Sequence, residues 1–371
     1  MVLTIIIAFF SIIFLMVSHE FGHFIVAKKC GIKVEEFGVG YPPRIFGKKI
    51  NGTIYSLNLL PFGAFVKIPG EIGGVEDYQS FSGLAIWKRV LIVLGGVISF
   101  WVVAFVLFTI VFNIGVKVPI SDESGSLPGA EVRIAEVYKN SPAEISGIKR
   151  GDVVKELWVD GSEKQAISKI KDFQDFIAAS KGNQVNVAFQ RGNQTLETSL
   201  VPRMSPPENE GPIGVQLERT VLLIQKYPWY QTPIRGLAYC WEITYKSIEG
   251  LFKVLSNLIT GKGLPSGAEP AGPLGLFVFL ARASELGVGF FLYFIAAIAV
   301  LLAISNLLPI PALDGGKLLF LAIEKIRAKA VSPKAEQVTT TIFFFLLISF
   351  SIFVTIKFDM PKLFEFIKSG F

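Results

Sequence analysis

Histidine and cysteine are nearly absent from this chain, which holds two of each in 371 residues. Cys30 and Cys240 are too few for a disulfide framework, and neither is assigned a role. Charge is also scarce. Asp, Glu, Lys and Arg make up 18% of the residues against 51% hydrophobic, and the mean hydropathy is +0.53, which excludes an ordinary soluble protein. The net charge of +6 raises the question of nucleic acid. The basic residues flank apolar runs, however, so they read as membrane orientation, with the lipid bilayer and not nucleic acid as the partner. A basic leader is missing ahead of the first apolar run, residues 2–27. A cleaved signal peptide is therefore the weaker reading, and cleavage would discard the polar residues inside that run.

Those polar residues are the centre of the chain. Both histidines fall in Val17-Ser18-His19-Glu20-Phe21-Gly22-His23. His-Glu-x-x-His on a helix stacks two imidazoles on one face, the bite that a single Zn²⁺ requires. The intervening Glu20 is placed to handle a proton on activated water. A helix that merely contains polar residues is the bland alternative, but ionisable groups in a membrane-length segment are costly and usually functional. The run itself spans about 39 Å as a helix, enough to cross with some tilt, and Lys28 and Lys29 close it.

Residues 28–89 are rich in glycine, lysine and short β-like runs, with a hairpin signal at Asn51-Gly52 and a further bend and strand over 61–68. An ordinary cytosolic β-loop is the bland reading, but the apolar faces and the nearby metal helix lead us to expect a sheet tucked against, or dipping into, the membrane. Trp87-Lys88-Arg89 anchors a second span over 90–116. The composition then turns polar. Ser141-Pro142-Ala143 starts a short helix, Gly147 to Val154 and Val159-Asp160-Gly161 follow, a helix runs near 170–180, and a hairpin turns at Arg191-Gly192-Asn193. That order resembles a bacterial, protease-associated PDZ domain.

A Pro/Glu/Gly-rich linker occupies 204–214, and 229–260 is amphipathic, with Trp241, Tyr245, Ile248, Phe252, Leu255 and Ile259 opposite Glu242, Lys246, Glu249 and Lys253. Four charges argue for a helix lying flat at the interface or against the soluble domain. The apolar stretch 276–280 is too short to span. A third span, 287–308, runs into Asn306-Leu307-Leu308-Pro309-Ile310-Pro311-Ala312-Leu313-Asp314-Gly315-Gly316, where two prolines must unwind the helix. A fourth covers 338–358.

A catalytic zinc takes three protein ligands and leaves a position open. With no third histidine, the remaining ligand is a carboxylate or, less readily, a cysteine. Asp314, after a broken helix at membrane depth, is the best candidate. If only these four segments cross, spans one and three run in the same direction and bring Asp314 to the histidines. The basic loops 28–89 and 317–334 are then cytoplasmic, and the amino terminus and soluble domain lie outside.

These motifs together resemble the site-2 proteases, in particular the bacterial regulator-of-sigma-E branch of intramembrane zinc metalloproteases. The likeness rests on His19-Glu20-Phe21-Gly22-His23, the 38–67 β-loop, one PDZ-like domain, Gly272-Pro273 and the 306–315 pattern. It implies an α-helical polytopic membrane protein of the bacterial inner membrane, with four transmembrane helices, a membrane-associated β-loop and one extracytoplasmic α+β PDZ domain. The implied division is a protease core over 1–117 and 287–371, the PDZ domain over 128–203, and linker with interfacial helices over 204–286. It also implies zinc on His19, His23 and Asp314, Glu20 as acid/base, and Asn306 positioning the substrate strand. The expected substrates are single-pass membrane proteins, such as anti-sigma factors or remnant signal peptides, with a peptide or substrate segment engaged by the PDZ domain. Two departures stand out. Gly95-Gly96-Val97-Ile98-Ser99 lacks the family's usual Pro and Asn, and Lys317 replaces a common His after Asp-Gly-Gly. A metal transporter would need more polar residues along spans two to four. A silent PDZ adaptor would tolerate a damaged motif, whereas this one is intact.

Overall fold

The computed structural model describes residues 2–71, 80–120, 122, 129–192, 194–207, 210–263, 270–285 and 287–369. Pro128, the expected start of the soluble domain, and Asn193 of its hairpin turn lie outside them. Along the chain, α1 (Val2–Lys29) is followed by β1 (Glu36–Ile50), β2 (Thr53–Lys67) and α2 (Ile86–Ile114). Next come β3 (Val116–Pro119), β4 (Glu131–Val137), α3 (Pro142–Ile145), β5 (Val153–Trp158), β6 (Gln165–Ala166), α4 (Ile170–Ala179), β7 (Val185–Arg191), β8 (Gln194–Leu200) and β9 (Val215–Ile224). The chain ends in α5 (Thr232–Ile259), α6 (Pro273–Glu285), α7 (Val288–Leu307), α8 (Asp314–Arg327), α9 (Pro333–Val354), a π-helical turn (Thr355–Asp359) and α10 (Met360–Ser369). Two compact units result, one from residues 1–114 with 227–371 and the other from 115–226.

In the first unit, four described helices are long and apolar enough to cross a membrane: Ile5–Lys29, Ile86–Ile114, Val288–Leu307 and Pro333–Phe364. The first three, α1, α2 and α7, pack through small residues, because lipid offers no hydrophobic drive between helices and close van der Waals contact must supply it. At the crossing of α1 and α2, a Cβ on Gly22 would sit 2.2 Å from the Gly95 carbonyl oxygen. Only glycine fits there. Higher up, Ala8, Leu15, Val97, Phe100, Ala104 and Phe108 merge with Ala296, Ala299 and Ala303 of α7 into one buried cluster.

The amphipathic segment departs from expectation. α5 runs along α2, burying Thr232, Gly236, Cys240 and Thr244. A Cβ on Gly236 would meet Thr109 Oγ1 at 2.7 Å, and Trp101 Nε1 donates to Thr244 Oγ1 at 3.2 Å. The apolar and charged faces were legible, but a third face of small residues at i, i+4, i+8 and i+12 decides the docking. The aromatic face, including Trp241, Tyr245 and Phe252, stays exposed. α6 is longer than its apolar stretch suggested, and Val278, Leu280, Ala281 and Ala283 are buried. Its first turn is held by Asp359, whose carboxylate accepts the Gly272 N–H at 3.0 Å.

The β-loop is a folded sheet. Residues 36–39 pair with 64–67 on one side and with 54–57 on the other, and 54–57 pair in turn with 46–49. The Asn51-Gly52 turn has both residues at positive φ, as a two-residue hairpin requires. Residues 64–67 therefore form one rim of the sheet, with no further strand beyond them among the described residues.

The second unit carries a sheet in the order β3-β9-β4-β5-β7-β8, with β6 paired to β5. Its core is Val132, Ile134, Leu157, Phe173, Ile177, Val185, Val187 and Phe189. Ser141 caps α3 by accepting the Glu144 N–H at 3.1 Å, with Pro142 in the first turn. The unit is wider than the 128–203 expected from composition. β9, from the stretch read as leading into interfacial helices, inserts between β3 and β4. Its Gln216, Glu218 and Arg219 hid the alternation, because Arg219 is buried and donates to the Ser168 carbonyl at 2.8 Å.

Candidate metal centre

His19 and His23 lie one turn apart on α1 and bring their Nε2 atoms to 3.2 Å of each other. Asp314 opens α8 and sets Oδ2 3.3 Å from His19 Nε2 and 3.4 Å from His23 Nε2. One ligand atom from each of the three lies within 4.8 Å of the others. No cysteine joins this cluster among the described residues, and half-buried Cys30 packs with apolar neighbours instead.

The broken helix delivers Asp314. α7 stops at Leu307, Pro309 and Pro311 carry the chain through an irregular bend, and α8 restarts at the aspartate. The two following glycines permit the bend. A Cβ on Gly315 would lie 2.1 Å from the Leu308 carbonyl oxygen, and one on Gly316 2.4 Å from that of Ile310.

Each histidine is oriented differently. His23 Nδ1 lies 2.9 Å from the Ile92 carbonyl oxygen, so Nδ1–H donates there and the Nε2 lone pair faces the cluster. Gly96 leaves the room for this ring, since a Cβ there would sit 2.2 Å from His23 Nε2. His19 stacks on Phe100 at 4.7 Å between ring centres. None of Ile92, Gly96 or Phe100 carries a chemical group that flags a site, and sequence reading missed all three. The Gly95-Gly96 pair stood out only as a departure from the family pattern.

The donor set fits a divalent cation of the zinc type. Two imidazole nitrogens and a carboxylate oxygen converge, and two facing lone pairs repel unless a proton or cation lies between them. Asp314 Oδ2 is buried without a hydrogen-bond partner, an expensive state for a carboxylate in an apolar setting.

Glu20 points from the same helix turn towards the β-loop, where Oε2 accepts the Val66 N–H at 3.1 Å. This amide faces outward from the rim strand, so the rim and the carboxylate meet. Asn306 stands apart from the cluster in its bonding, because its Nδ2 donates back to the Leu302 carbonyl at 2.9 Å. Lys317, three residues after Asp314 on α8, pairs with Glu71. Burial alone would lower its pKa, but Glu71, with help from Asp314 and Glu20, holds it above the ordinary lysine value. The ammonium is thus a fixed positive charge beside the site.

A membrane-length helix bearing His-Glu-x-x-His, met by an aspartate from a broken helix, defines a metallopeptidase of the integral-membrane class. The chain belongs to peptidase family M50, whose profile matches residues 7–350, in agreement with the site-2 protease resemblance. A zinc-metalloprotease-type protein of Clostridium perfringens is 34% identical over 92% of this chain and 94% of its own. The zinc metalloprotease RasP of Oceanobacillus iheyensis is 25% identical over 98% of this chain and 100% of its own. The regulator of sigma-W protease RasP of Bacillus subtilis is 26% identical, covering 88% of this chain and 92% of its own. A solved PDZ domain of an SdrC-like protein from Listeria innocua aligns with 24% of this chain and 92% of its own, at 27% identity and a TM-score of 0.20.

Proposed function

We propose that this chain hydrolyses peptide bonds within or beside the transmembrane segments of single-pass membrane proteins, using His19, His23 and Asp314 as zinc ligands and Glu20 as acid/base. The observation that carries the reading is the meeting of three groups at one place. The convergent ligand trio, the Glu20 carboxylate and the outward-facing Val66 amide of a sheet rim lie together. Bound by the trio, zinc would supply Lewis acidity and lower the pKa of water towards ~7.

The remaining work falls to the protein. Glu20 takes a proton from the attacking water and returns it to the leaving amine. A transmembrane helix hides its own peptide bonds, so the substrate must unwind and find new backbone partners in a place without water. The rim at 64–67 offers them by strand addition, in line beside Glu20. Asn306 would exchange its bond to Leu302 for one to the substrate backbone.

By the positive-inside rule, the basic 28–89 and 317–334 loops are cytoplasmic, so the active site lies near that face and the 115–226 unit is extracytoplasmic. The PDZ-type unit contributes no histidine and acts as a gate that favours substrates already trimmed outside. Anti-sigma factors and remnant signal peptides are the substrate classes, the first by analogy with the sigma-W regulator.

Co-expression with tagged single-pass substrates tests this. Cleavage should fall by about 10²-fold or more in Glu20→Gln, which keeps shape and removes the base. Full activity in that variant would end the metalloprotease reading. Cysteine probes at Ser205 should react from outside, and those at Lys48 and Ser332 should not. The reverse pattern would invert the topology.

A further inference from the structure

Lys317 follows the Asp314-Gly315-Gly316 that opens α8, and nothing in the proposed chemistry uses it. Its surroundings are specific. The ammonium pairs with Glu71, both side chains are half-buried, and the pair ties α8 to the segment that leaves the β-loop. Each end of this tie is rigidly joined to part of the site.

On the α8 side, Lys317 follows Asp314 by three residues, less than one helical turn. On the other side, Glu71 closes a tight turn, its N–H donating to the Ile68 carbonyl at 3.4 Å. Pro69 and Gly70 are the central residues. Gly70 has φ +74°, the combination a type II turn requires. A second bond, from Phe81 N–H to the Pro69 carbonyl at 2.8 Å, fastens the turn, and Ile68 is buried in the core under the sheet. Ile68 adjoins the rim strand whose Val66 amide reaches Glu20. The ion pair therefore closes a loop of stiff links running from Asp314 through Lys317, Glu71 and the turn to the rim, and from Val66 back to Glu20.

We propose that Lys317, through Glu71, is a positioning residue that fixes the rim strand relative to Asp314 and so sets which peptide bond of an added substrate strand reaches the site. This rests on the strand-addition reading above. A strand advances about 3.3 Å per residue, so a slip of one residue carries the selected bond out of reach and turns its side chains to the opposite face. A charge pair between two fixed elements is suited to this task because it costs little reorganisation once the turn is formed. Glu336 of α9 also interacts with Lys317 electrostatically but stands on a different element, and it cannot restrain the rim.

The test is the position of the cut, read by mass spectrometry of products from one tagged substrate, beside zinc content. Lys317→Met and Glu71→Gln each remove the pair from one side, and Glu71→Gln leaves the positive charge near Glu20 in place. Both should keep zinc, lose about 10- to 100-fold in rate at the native bond, and gain cuts one or two residues away. The double variant should be no worse than either single one, because both remove the same interaction. Lys317→Arg should restore the single native cut. A lone cut at the native bond in both Lys317→Met and Glu71→Gln, at any rate, would overturn the proposal, as would additive losses in the double variant. Absence of Glu20-dependent cleavage by the unaltered protein would instead strike the proposed function.

Discussion

Two buried aspartates, one in each unit, are treated in opposite ways. Asp152 in the 115–226 unit is 1% exposed, and Asp314 in the membrane unit is 8% exposed. Asp152 accepts Arg191 Nε and Nη2 at 2.8 Å each and the Lys149 N–H at 2.8 Å. Its burial is offset within its own domain by a two-pronged guanidinium and a backbone donor. Asp314 keeps Oδ2 without a hydrogen bond and turns it towards two imidazole nitrogens. A third case, Asp359, is 0% exposed and is satisfied by Gly272 N–H and Thr355 Oγ1. Burial by itself therefore does not mark a site. The mark is a buried carboxylate whose acceptors the fold leaves open while aiming further donor atoms at the same point.

The comparison breaks most sharply at Asp314. Asp314→Ala should remove both bound zinc and cleavage, whereas Glu20→Gln should lose cleavage and keep zinc. Metal analysis of the purified variants separates the two. Full zinc in Asp314→Ala would move the third ligand elsewhere. A smaller but related effect is expected from Gly96→Ala, where the new Cβ collides with His23 Nε2. The ring must turn away from Ile92, and zinc affinity should fall by about 10- to 100-fold, measured by competition with a chelator.

This contrast also explains what sequence reading could and could not see. His19, Glu20 and His23 were legible because four residues of helix have a fixed geometry. Asp314 was legible because two prolines announced a broken helix at membrane depth. Gly96 and Ile92 were not, since one works by lacking a side chain and the other through its backbone carbonyl. Glu71 met the same obstacle, as its partner Lys317 lies 246 residues away. β9 and the small-residue face of α5 were hidden by polar residues whose partners exist only after folding.

Asp359 sharpens the comparison at the level of stability. Asp359→Ala removes the acceptor of the Gly272 N–H just ahead of α6 and opens a space against Gly272 and Gly275, where an added Cβ in the unaltered chain would meet the carboxylate at 2.6 and 2.3 Å. The loss should be about 1–3 kcal/mol, seen as lower thermal stability in detergent with zinc per molecule unchanged. A fall in zinc stoichiometry equal to that of Asp314→Ala would show that the two carboxylates are not distinct in role.

The smallest effect concerns a carboxylate nearer the surface of the 115–226 unit. Glu131 on β4 lies between Lys117 of β3 at 2.5 Å and Lys155 of β5 at 3.0 Å. Partial burial would raise its pKa, but the two ammonium groups outweigh that and hold it below the ordinary value of 4.5. A carboxyl group with a lowered folded pKa stabilises the fold above its unfolded pKa, and the contribution fades as pH falls through the folded value. Glu131→Gln should therefore cost under about 1 kcal/mol at neutral pH, because both lysines are partly solvated. Hydrogen exchange of β4 and β5 in the intact 371-residue chain reads this locally. The difference between the variant and the unaltered chain should shrink as pH is lowered through the acidic range below 4.5. A gap that stayed constant there would mean that packing of the longer side chain, and not its charge, holds the three strands together.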